Sequence, residues 1–208
     1  MTLEMPWGKE CFPRLRVANR LPVVLSPEEV EEFFCHIPSL KYRAALMLCY
    51  GADLRISEAV AIKVSDIDSR RGLIRVAQGK DRKDRFVMLS DRLVKLLRRY
   101  WRAARPDGWM FPSWRGHKHL SSGSLSQACR DAAKSSGMTK RITAHILRHS
   151  FATHLLENAT DTRVIQALLG HSRIETTARY VRVAAHVVAA TASPLDTIGR
   201  KPKQKARK

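Results

Sequence analysis

Hydrophobic residues recur at helical spacing over most of the chain. The segment Ser26-Pro27-Glu28-Glu29 predicts a helix start, because serine can cap a helix, proline suits its first position and Glu29 completes a capping box. The apolar stretch Leu40–Tyr50 predicts a second helix, which is buried and ends at Gly51. Further helical patterns run over about Asp91–Ala104, Ser124–Ser135, His145–Glu157, Thr162–Leu169, a short stretch after Ser172, and Ala184–Ala192.

The helical spacing of hydrophobic residues is interrupted once, in the middle of the chain. Leu73–Ala77 and Phe86–Leu89 are short strand-like runs. The polar segment Gly79–Asp84 lies between them and carries basic residues, so the pattern predicts a β-hairpin with a basic tip. The expected fold class is therefore mainly α with a small antiparallel β-sheet (α+β).

The chain is expected to divide into three parts. Residues 1–25 contain three prolines and little periodicity, which is typical of a linker or lead-in. Residues 26–192 hold the helical patterns and the hairpin, and their length suits one domain. Residues 193–208 are expected to form a flexible basic tail, in which Gly199–Lys208 has six basic residues and no acidic one.

The charge balance points to a polyanionic partner. Lysine and arginine number 38 against 19 acidic residues, for a formal net charge of +19. The excess is not confined to the tail, and a field of this sign and strength attracts nucleic acid. A ribosomal-type structural protein and a membrane-surface binder are the other classes that the charge allows.

Cysteine usage and hydropathy indicate an intracellular protein. Cys11, Cys35, Cys49 and Cys129 are scattered without a C-x-x-C pair, which argues against a zinc ribbon or a disulfide scaffold and favours reduced thiols. The N-terminus has no signal-peptide pattern, and no stretch approaches the roughly 20 apolar residues of a membrane span. A cytoplasmic protein without a membrane partner is expected.

The densest chemical signal is the segment Thr143–Leu155. His145 and Arg148 are three residues apart, so on a helix they share one face. This pair suits a phosphate group, because arginine can grip two oxygens while histidine moves a proton. A zinc site at His145 and His149 is disfavoured, since the glutamate of H-E-x-x-H is missing and Arg148 would repel a cation. Incidental helix histidines are the alternative, and His149 and His154 are interpreted as packing or DNA-backbone contacts.

A second signal follows in Leu168–Tyr180. The segment Gly170–Glu175 ends one predicted helix and caps the next, which holds His171 in a tight corner between them. Tyr180 lies on or just after the second of these helices. A lone tyrosine is usually a core or surface residue, so its position alone does not make it a nucleophile.

Four blocks of sequence together resemble the tyrosine recombinase (phage integrase) family. They occur in the family's order and spacing over residues 51–180. Gly51–Glu58 matches the family's pattern Gly-x-x-Leu-Arg-x-Ser-Glu, and Gly79–Arg85 matches Gly-Lys-Gly-x-Lys-x-Arg. Thr143–Leu155 matches His-x-Leu-Arg-His-x-x-Ala-Thr-His-Leu. Leu168–Tyr180 matches Leu-Leu-Gly-His-Ser followed by Thr-Thr-x-x-Tyr. Ser193–Asp196 is also similar to integrases carried by certain insertion sequences.

The resemblance implies a tyrosine recombinase catalytic domain over residues 26–192. Such an enzyme cuts and rejoins double-stranded DNA as an assembly of protomers on paired sites, without metal, ATP or another cofactor. By position, Arg55 and Arg148 would clamp the oxygens of the scissile phosphate, and His171 would donate a further hydrogen bond to it.

The remaining matched residues would handle the protons and the covalent bond. His145 would assist proton transfer from the attacking phenol, and Lys80 would protonate the leaving 5′-oxygen. Tyr180 would attack phosphorus and form a 3′-phosphotyrosine. Ala184–Ala192 resembles the family's exchange helix, which docks on a neighbouring protomer.

The chain departs from the family's pattern in two places. Asp53 and Asp81 stand where the family has glycine; aspartate tolerates the left-handed backbone region, so both turns can form, but each adds a negative charge near DNA. The family also carries a separate helical DNA-binding domain before the catalytic one. The roughly 25 residues before Ser26 are too few for it, so a partner that supplies this domain is one expectation.

Alternatives remain for single residues and for the chain. Arg55 could pair with Glu58 on the surface, and Lys80 could be a solvated turn lysine. A DNA-binding module with little or no catalysis and an enzyme like the type IB topoisomerases are the competing functions.

Overall fold

The computed structural model describes residues 23–77, 84–114, 116–157 and 195. Within these ranges the chain is mostly helical, as the sequence predicts. The predicted helices from residue 162 onward, including Ala184–Ala192, lie outside the described residues. The helices are α1 (Pro27–Cys35), α2 (Leu40–Gly51), α3 (Ile56–Val60), α4 (Asp91–Ala104), α5 (Ser122–Ser135) and α6 (Ala144–Glu157).

Local capping fixes where several helices begin. The Ser26 hydroxyl accepts a hydrogen bond from Glu29 N, and the Glu29 carboxylate accepts one from Ser26 N at 2.7 Å, so the predicted capping box of α1 is confirmed. Helix α5 begins two residues before its predicted start, because Ser121 caps it and accepts from Ser124 N at 2.9 Å.

The predicted hairpin is confirmed and gains a third strand. Strands β2 (Leu73–Val76) and β3 (Arg85–Met88) pair antiparallel, with Leu73 opposite Met88. Strand β1 (Ile67–Asp68) adds to the other edge of β2, giving the sheet order β1-β2-β3. The tip of the hairpin, residues 78–83, lies outside the described residues. The fold class is therefore mainly α with a small antiparallel sheet.

Helix α2 is the centre of the described core. Its residues from Ala44 to Gly51 are all buried, because α3, α4, α5 and α6 each pack against it. A helix that is apolar all round is stable only when it is enclosed in this way. Near its end, the Tyr50 hydroxyl hydrogen-bonds to His154 Nδ1 at 2.9 Å, and the Tyr50 ring meets Phe151 edge-on. The interpretation of His154 as a packing residue is confirmed.

Two long-range contacts bring distant segments to this core. Before α1, the backbone N–H of Leu25 donates to Ser150 Oγ of α6 at 3.0 Å. Leu195, near the other end of the chain, is fully buried against Gly51. A Cβ at Gly51 would lie only 2.8 Å from Leu195 Cδ2, so the absence of a side chain there makes the space that Leu195 fills.

Arg92 of α4 holds the backbone beside that leucine. Its Nη1 donates to the Leu195 carbonyl at 3.3 Å, and its Nη2 pairs with Glu31 of α1 at 3.2 Å. Residue 195 is therefore fixed by an apolar contact and a hydrogen bond. In the part of the chain that the structure describes, no helix is both long and apolar enough to cross a bilayer.

Candidate active site

The site is built on the turn between α2 and α3. Helix α2 is capped at Ala52, and Asp53 then adopts a left-handed backbone angle, with φ of 53°. This angle lets the chain reverse, so that Leu54 is buried and its N–H donates to the carbonyl of Leu48 at 3.3 Å. The turn delivers Arg55 to the N-cap position of α3. The prediction that aspartate tolerates the family's glycine position in this turn is confirmed.

Arg55 points to solvent and pairs with Glu58 one helical turn further on. Its Nη1 lies 3.1 Å from Glu58 Oε1, and its backbone N–H donates to Glu58 Oε2 at 2.8 Å. The side chain of Arg55 nevertheless stays 42% exposed. The alternative pairing with Glu58 is thus present, and it leaves the guanidinium accessible from solvent.

Arg85, at the start of β3, is the main partner of Glu58. Its two terminal nitrogens donate to the two carboxylate oxygens at 2.7 and 2.8 Å. Burial alone would raise the pKa of Glu58, but the hydrogen bonds from Arg85 and from the Arg55 backbone outweigh it and lower the pKa to about 2. The charged pair ties the hairpin to the turn that carries Arg55.

Arg148, on α6, forms an ion pair that spacing along the sequence does not reveal. Its Nε lies 2.9 Å from Asp53 Oδ1; the Arg148 side chain is 12% exposed and that of Asp53 is 1% exposed. Burial raises the pKa of Asp53 to about 7, against the opposing charges of Arg148 and Arg85. The carboxylate of Asp53, which stands where the family has glycine, therefore lies against Arg148.

His145 lies one helical turn before Arg148, as predicted. It is exposed near the start of α6, where Thr143 Oγ1 accepts a hydrogen bond from Ile146 N at 3.2 Å. His149, which follows Arg148, is half-buried. Among the described residues, no cluster of histidine, cysteine, aspartate and glutamate has an arrangement that could hold a metal ion.

The structure brings together part of the predicted site. Arg148 contacts Asp53, and Arg55 follows Asp53 by two residues, so both matched arginines lie at the same end of α2. Lys80, His171 and Tyr180 lie outside the described residues, as does the second aspartate at a glycine position, Asp81.

Sequence reasoning missed two members of the site, and both left a signal. Arg85 is the last residue of the matched hairpin block, yet the sequence alone gave it no role. Asp53 was recognised as a departure, but its charge was expected to face DNA. The structure shows that it faces Arg148 instead.

Comparison with known proteins gives a consistent result. A family model described as "Phage integrase family" matches residues 23–186. A Sinorhizobium fredii protein named as an integrase/recombinase is 47% identical over 201 residues, covering 96% of this chain and 65% of the relative. The tyrosine recombinase XerA of Thermococcus onnurineus is 39% identical over 173 residues, covering 81% of this chain and 61% of the relative. The chain thus spans less than two thirds of the length of either relative.

Solved structures show the same fold. A crystal structure of XerA recombinase superposes with a TM-score of 0.68 at 32% identity, covering 77% of this chain and 60% of that one. A XerH site-specific recombinase bound to its difH substrate, in a pre-cleavage complex, superposes with a TM-score of 0.63 at 26% identity. The superposition with XerH covers 82% of this chain and 55% of that one.

Proposed function

Because the chain belongs to the phage integrase family, we propose that it is a site-specific DNA recombinase, which cleaves and rejoins strands through a 3′-phosphotyrosine. The observation that carries the proposal is the turn at residues 52–55. In this turn Asp53 contacts Arg148, and the chain leads directly into Arg55. One short segment thus places the two arginines that match the family's pattern at the same end of α2.

Arg55 and Arg148 would clamp the two non-bridging oxygens of the scissile phosphate. Negative charge accumulates on these oxygens as the nucleophile adds to phosphorus, and fixed guanidinium groups stabilise that charge. Arginine suits the task because it stays protonated and can donate two parallel hydrogen bonds. In this mechanism the arginine cations take the part that a metal ion has in many phosphoryl-transfer enzymes.

Proton transfer and bond exchange would involve four residues. The Tyr180 oxygen forms a bond to phosphorus as the bond to the 5′-oxygen breaks, and His145 assists removal of the phenolic proton. Lys80 gives a proton to the departing 5′-oxygen, and His171 donates a hydrogen bond to the phosphate. Rejoining reverses these steps with a 5′-hydroxyl as nucleophile, and the phosphotyrosine ester conserves the bond energy, so ATP is not required.

The anchoring of the hairpin supports the assignment of Lys80. Arg85 lies five residues after Lys80 and is bound to Glu58, which also pairs with Arg55. One strand of the hairpin therefore starts beside the proposed phosphate site. We infer that Lys80, which precedes Arg85 by five residues in the chain, acts on a leaving group held beside Arg55.

Double-stranded DNA is the proposed partner. The chain carries a net charge of +19, and the similar XerH site-specific recombinase is bound to its difH substrate. We place residues 26–192 in one catalytic domain, with a lead-in before it and a basic tail after it. Several protomers would act together on paired sites, with Ala184–Ala192 docking on a neighbour.

The test is formation of a covalent protein–DNA adduct. The protein is incubated with a nicked duplex of its native flanking DNA, and adducts are separated on a denaturing gel. Wild type should form an adduct in the presence of EDTA, because the mechanism uses no metal. Tyr180→Phe should form none while its affinity for the duplex is nearly unchanged, since only the nucleophilic oxygen is removed.

Other outcomes would assign a different function. Adduct formation by Tyr180→Phe would show that the nucleophile is another residue. Loss of wild-type cleavage on chelation would indicate a metal-dependent nuclease. Tight binding of the duplex without any adduct would favour the DNA-binding module that the sequence left open.

A further inference from the structure

Asp53 occupies an unfavourable position in two respects. Its backbone has φ of 53°, in the left-handed region that favours glycine. Its side chain is 1% exposed, so its carboxylate is removed from water. The contact that offsets these costs is with Arg148, whose Nε lies 2.9 Å from Asp53 Oδ1. The carboxylate and the proposed phosphate ligand are thus in direct contact.

Charged and titratable groups approach Asp53 from four elements. Arg148 comes from α6, Arg85 from β3, Glu58 from α3 and Cys49 from α2. Burial raises the pKa of Asp53 to about 7; the two arginines oppose this shift and Glu58 adds to it. Burial also raises the pKa of the Cys49 thiol well above its usual range, so the thiol carries no charge near neutral pH.

We propose that Asp53 is a positioning residue, which holds the Arg148 guanidinium in the DNA-free protein and takes up one proton from solvent when a DNA phosphate binds that guanidinium. The proposal rests on the proposed function, because it takes Arg148 as a ligand of the scissile phosphate. Asp53 thereby gains a role, although the family's pattern has glycine at its position.

Proton uptake follows from placing a second anion beside a buried carboxylate. Two negative groups that share one guanidinium repel each other, and in a site removed from water this repulsion is only weakly screened. Neutralising the carboxylate removes the repulsion and leaves the guanidinium charge to the phosphate. The neutral acid also has a smaller desolvation cost than the carboxylate.

The consequence is that DNA affinity depends on pH. The free protein has an ionised Asp53 above about neutral pH, whereas the DNA complex has a protonated one. Binding therefore tightens as pH falls across this window, with a limiting slope of about tenfold per pH unit for one proton. His145, a second titratable group, lies one turn before Arg148 on α6, so only a comparison of variants isolates the contribution of Asp53.

The experiment measures duplex affinity by fluorescence anisotropy between about pH 8.5 and about pH 6.5, at fixed ionic strength. The probe is the nicked native flanking duplex, and the variant is Asp53→Asn, which keeps the shape and the tolerance for the left-handed angle but cannot ionise. Between the two pH limits, wild-type affinity should rise roughly five- to twentyfold more than that of Asp53→Asn. At the upper pH limit, Asp53→Asn should bind the duplex more tightly than wild type does, because its residue 53 carries no negative charge.

A matched control separates this effect from general damage. Asp66, just before β1, is another buried carboxylate, and it pairs with Arg75 of the central strand β2 at 2.8 Å. Asp66→Asn should keep the wild-type dependence on pH, whatever it does to stability. A variant that was merely damaged would bind more weakly at every pH, in contrast to the expected gain at high pH.

Arg148→Gln distinguishes failure of the proposal from failure of the proposed function. If Arg148→Gln weakens duplex binding and abolishes the adduct, Arg148 is a phosphate ligand. Parallel pH profiles for wild type and Asp53→Asn would then overturn the role of Asp53 alone. If Arg148→Gln binds and cleaves as wild type does, the proposed phosphate site and the inference are both wrong.

Discussion

Arg85 of the hairpin and Glu58 of α3 form a two-point contact, with hydrogen bonds of 2.7 and 2.8 Å. The contact joins the small sheet to the turn that carries Arg55. A bidentate arginine–carboxylate pair is both directional and strong, and here the glutamate side chain is only 10% exposed. The pair therefore helps to fix the orientation of the hairpin relative to α3.

Glu58→Gln should lower the free energy of unfolding by about 1–3 kcal/mol at neutral pH, because it leaves Arg85 without its anionic partner. The folded-state pKa of Glu58 is lowered to about 2, so its ionised form stabilises the fold above the unfolded pKa of about 4.3. That stability is lost as pH falls from about 4 toward 2. Urea unfolding of both proteins at several pH values measures the difference.

Glu32→Gln is the control for this prediction. Glu32 pairs with His36 across an exposed helical surface, at 3.4 Å, and such pairs contribute at most about 1 kcal/mol. An equal effect from the two substitutions would show that the Arg85 contact does not stabilise the fold.

Tyr50→Phe should reduce the free energy of unfolding by about 1–3 kcal/mol, because it removes the hydroxyl partner of a buried histidine nitrogen. The hydroxyl lies 2.9 Å from His154 Nδ1, and both side chains are buried. Denaturant unfolding gives the value. Tyr42→Phe, at a half-buried ring on the same helix, should change stability much less; equal losses would mean that the Tyr50–His154 bond contributes nothing.

The packing of Gly51 against Leu195 predicts coupled substitutions. Gly51→Ala should be unfavourable in the wild-type background, because the new Cβ would lie 2.8 Å from Leu195 Cδ2. In a Leu195→Ala background the same substitution should stabilise the protein by roughly 0.5–1 kcal/mol, since alanine is the better helix former. A double-mutant cycle of unfolding free energies measures the coupling. An identical effect of Gly51→Ala in both backgrounds would show that Leu195 does not fill this space in solution.

Lys80 and Lys83 can be separated by the chemistry of the leaving group. A bridging sulfur at the 5′ position leaves as a thiolate and scarcely needs a proton. Lys80→Ala should slow cleavage of normal DNA by roughly 100-fold or more and recover most of the rate on the sulfur substrate. Single-turnover cleavage of the two substrates gives the rates.

Lys83→Ala serves as the matched variant on the same tip. It should cost far less on either substrate, because its expected contact is with the DNA backbone. Rescue of Lys83→Ala in place of Lys80→Ala would identify Lys83 as the acid. Rescue of neither variant would assign the proton to another donor, such as His171 or water.

Local patterns predicted the elements that local interactions determine. The capping box of α1, the hairpin and helix α4 follow from residues that are close in sequence, and each is confirmed. Helix α3 and strand β1 were missed because five and two residues are too few to show a period. Tertiary packing, rather than propensity, stabilises such short elements.

The composition of the site was less accessible from the sequence. Motif positions singled out Arg55, His145 and Arg148, and the pairing of Arg55 with Glu58 was one alternative, but the contacts of Asp53 with Arg148 and of Arg85 with Glu58 were not predicted. The contact between Asp53 and Arg148 joins residues that are far apart in the chain, and the one between Arg85 and Glu58 joins two matched blocks. Spacing within a block carries no information about such pairs, since they depend on how α2, α3, α6 and the sheet pack.

The burial of Leu195 has a consequence for the residues between α6 and that position. Residues 158–194, which include His171 and Tyr180, are covalently joined to the described body at Glu157 and held to it again at Leu195. The chain between these two points is therefore attached at both ends, and a substitution that removes the Leu195 side chain would leave it attached at Glu157 alone.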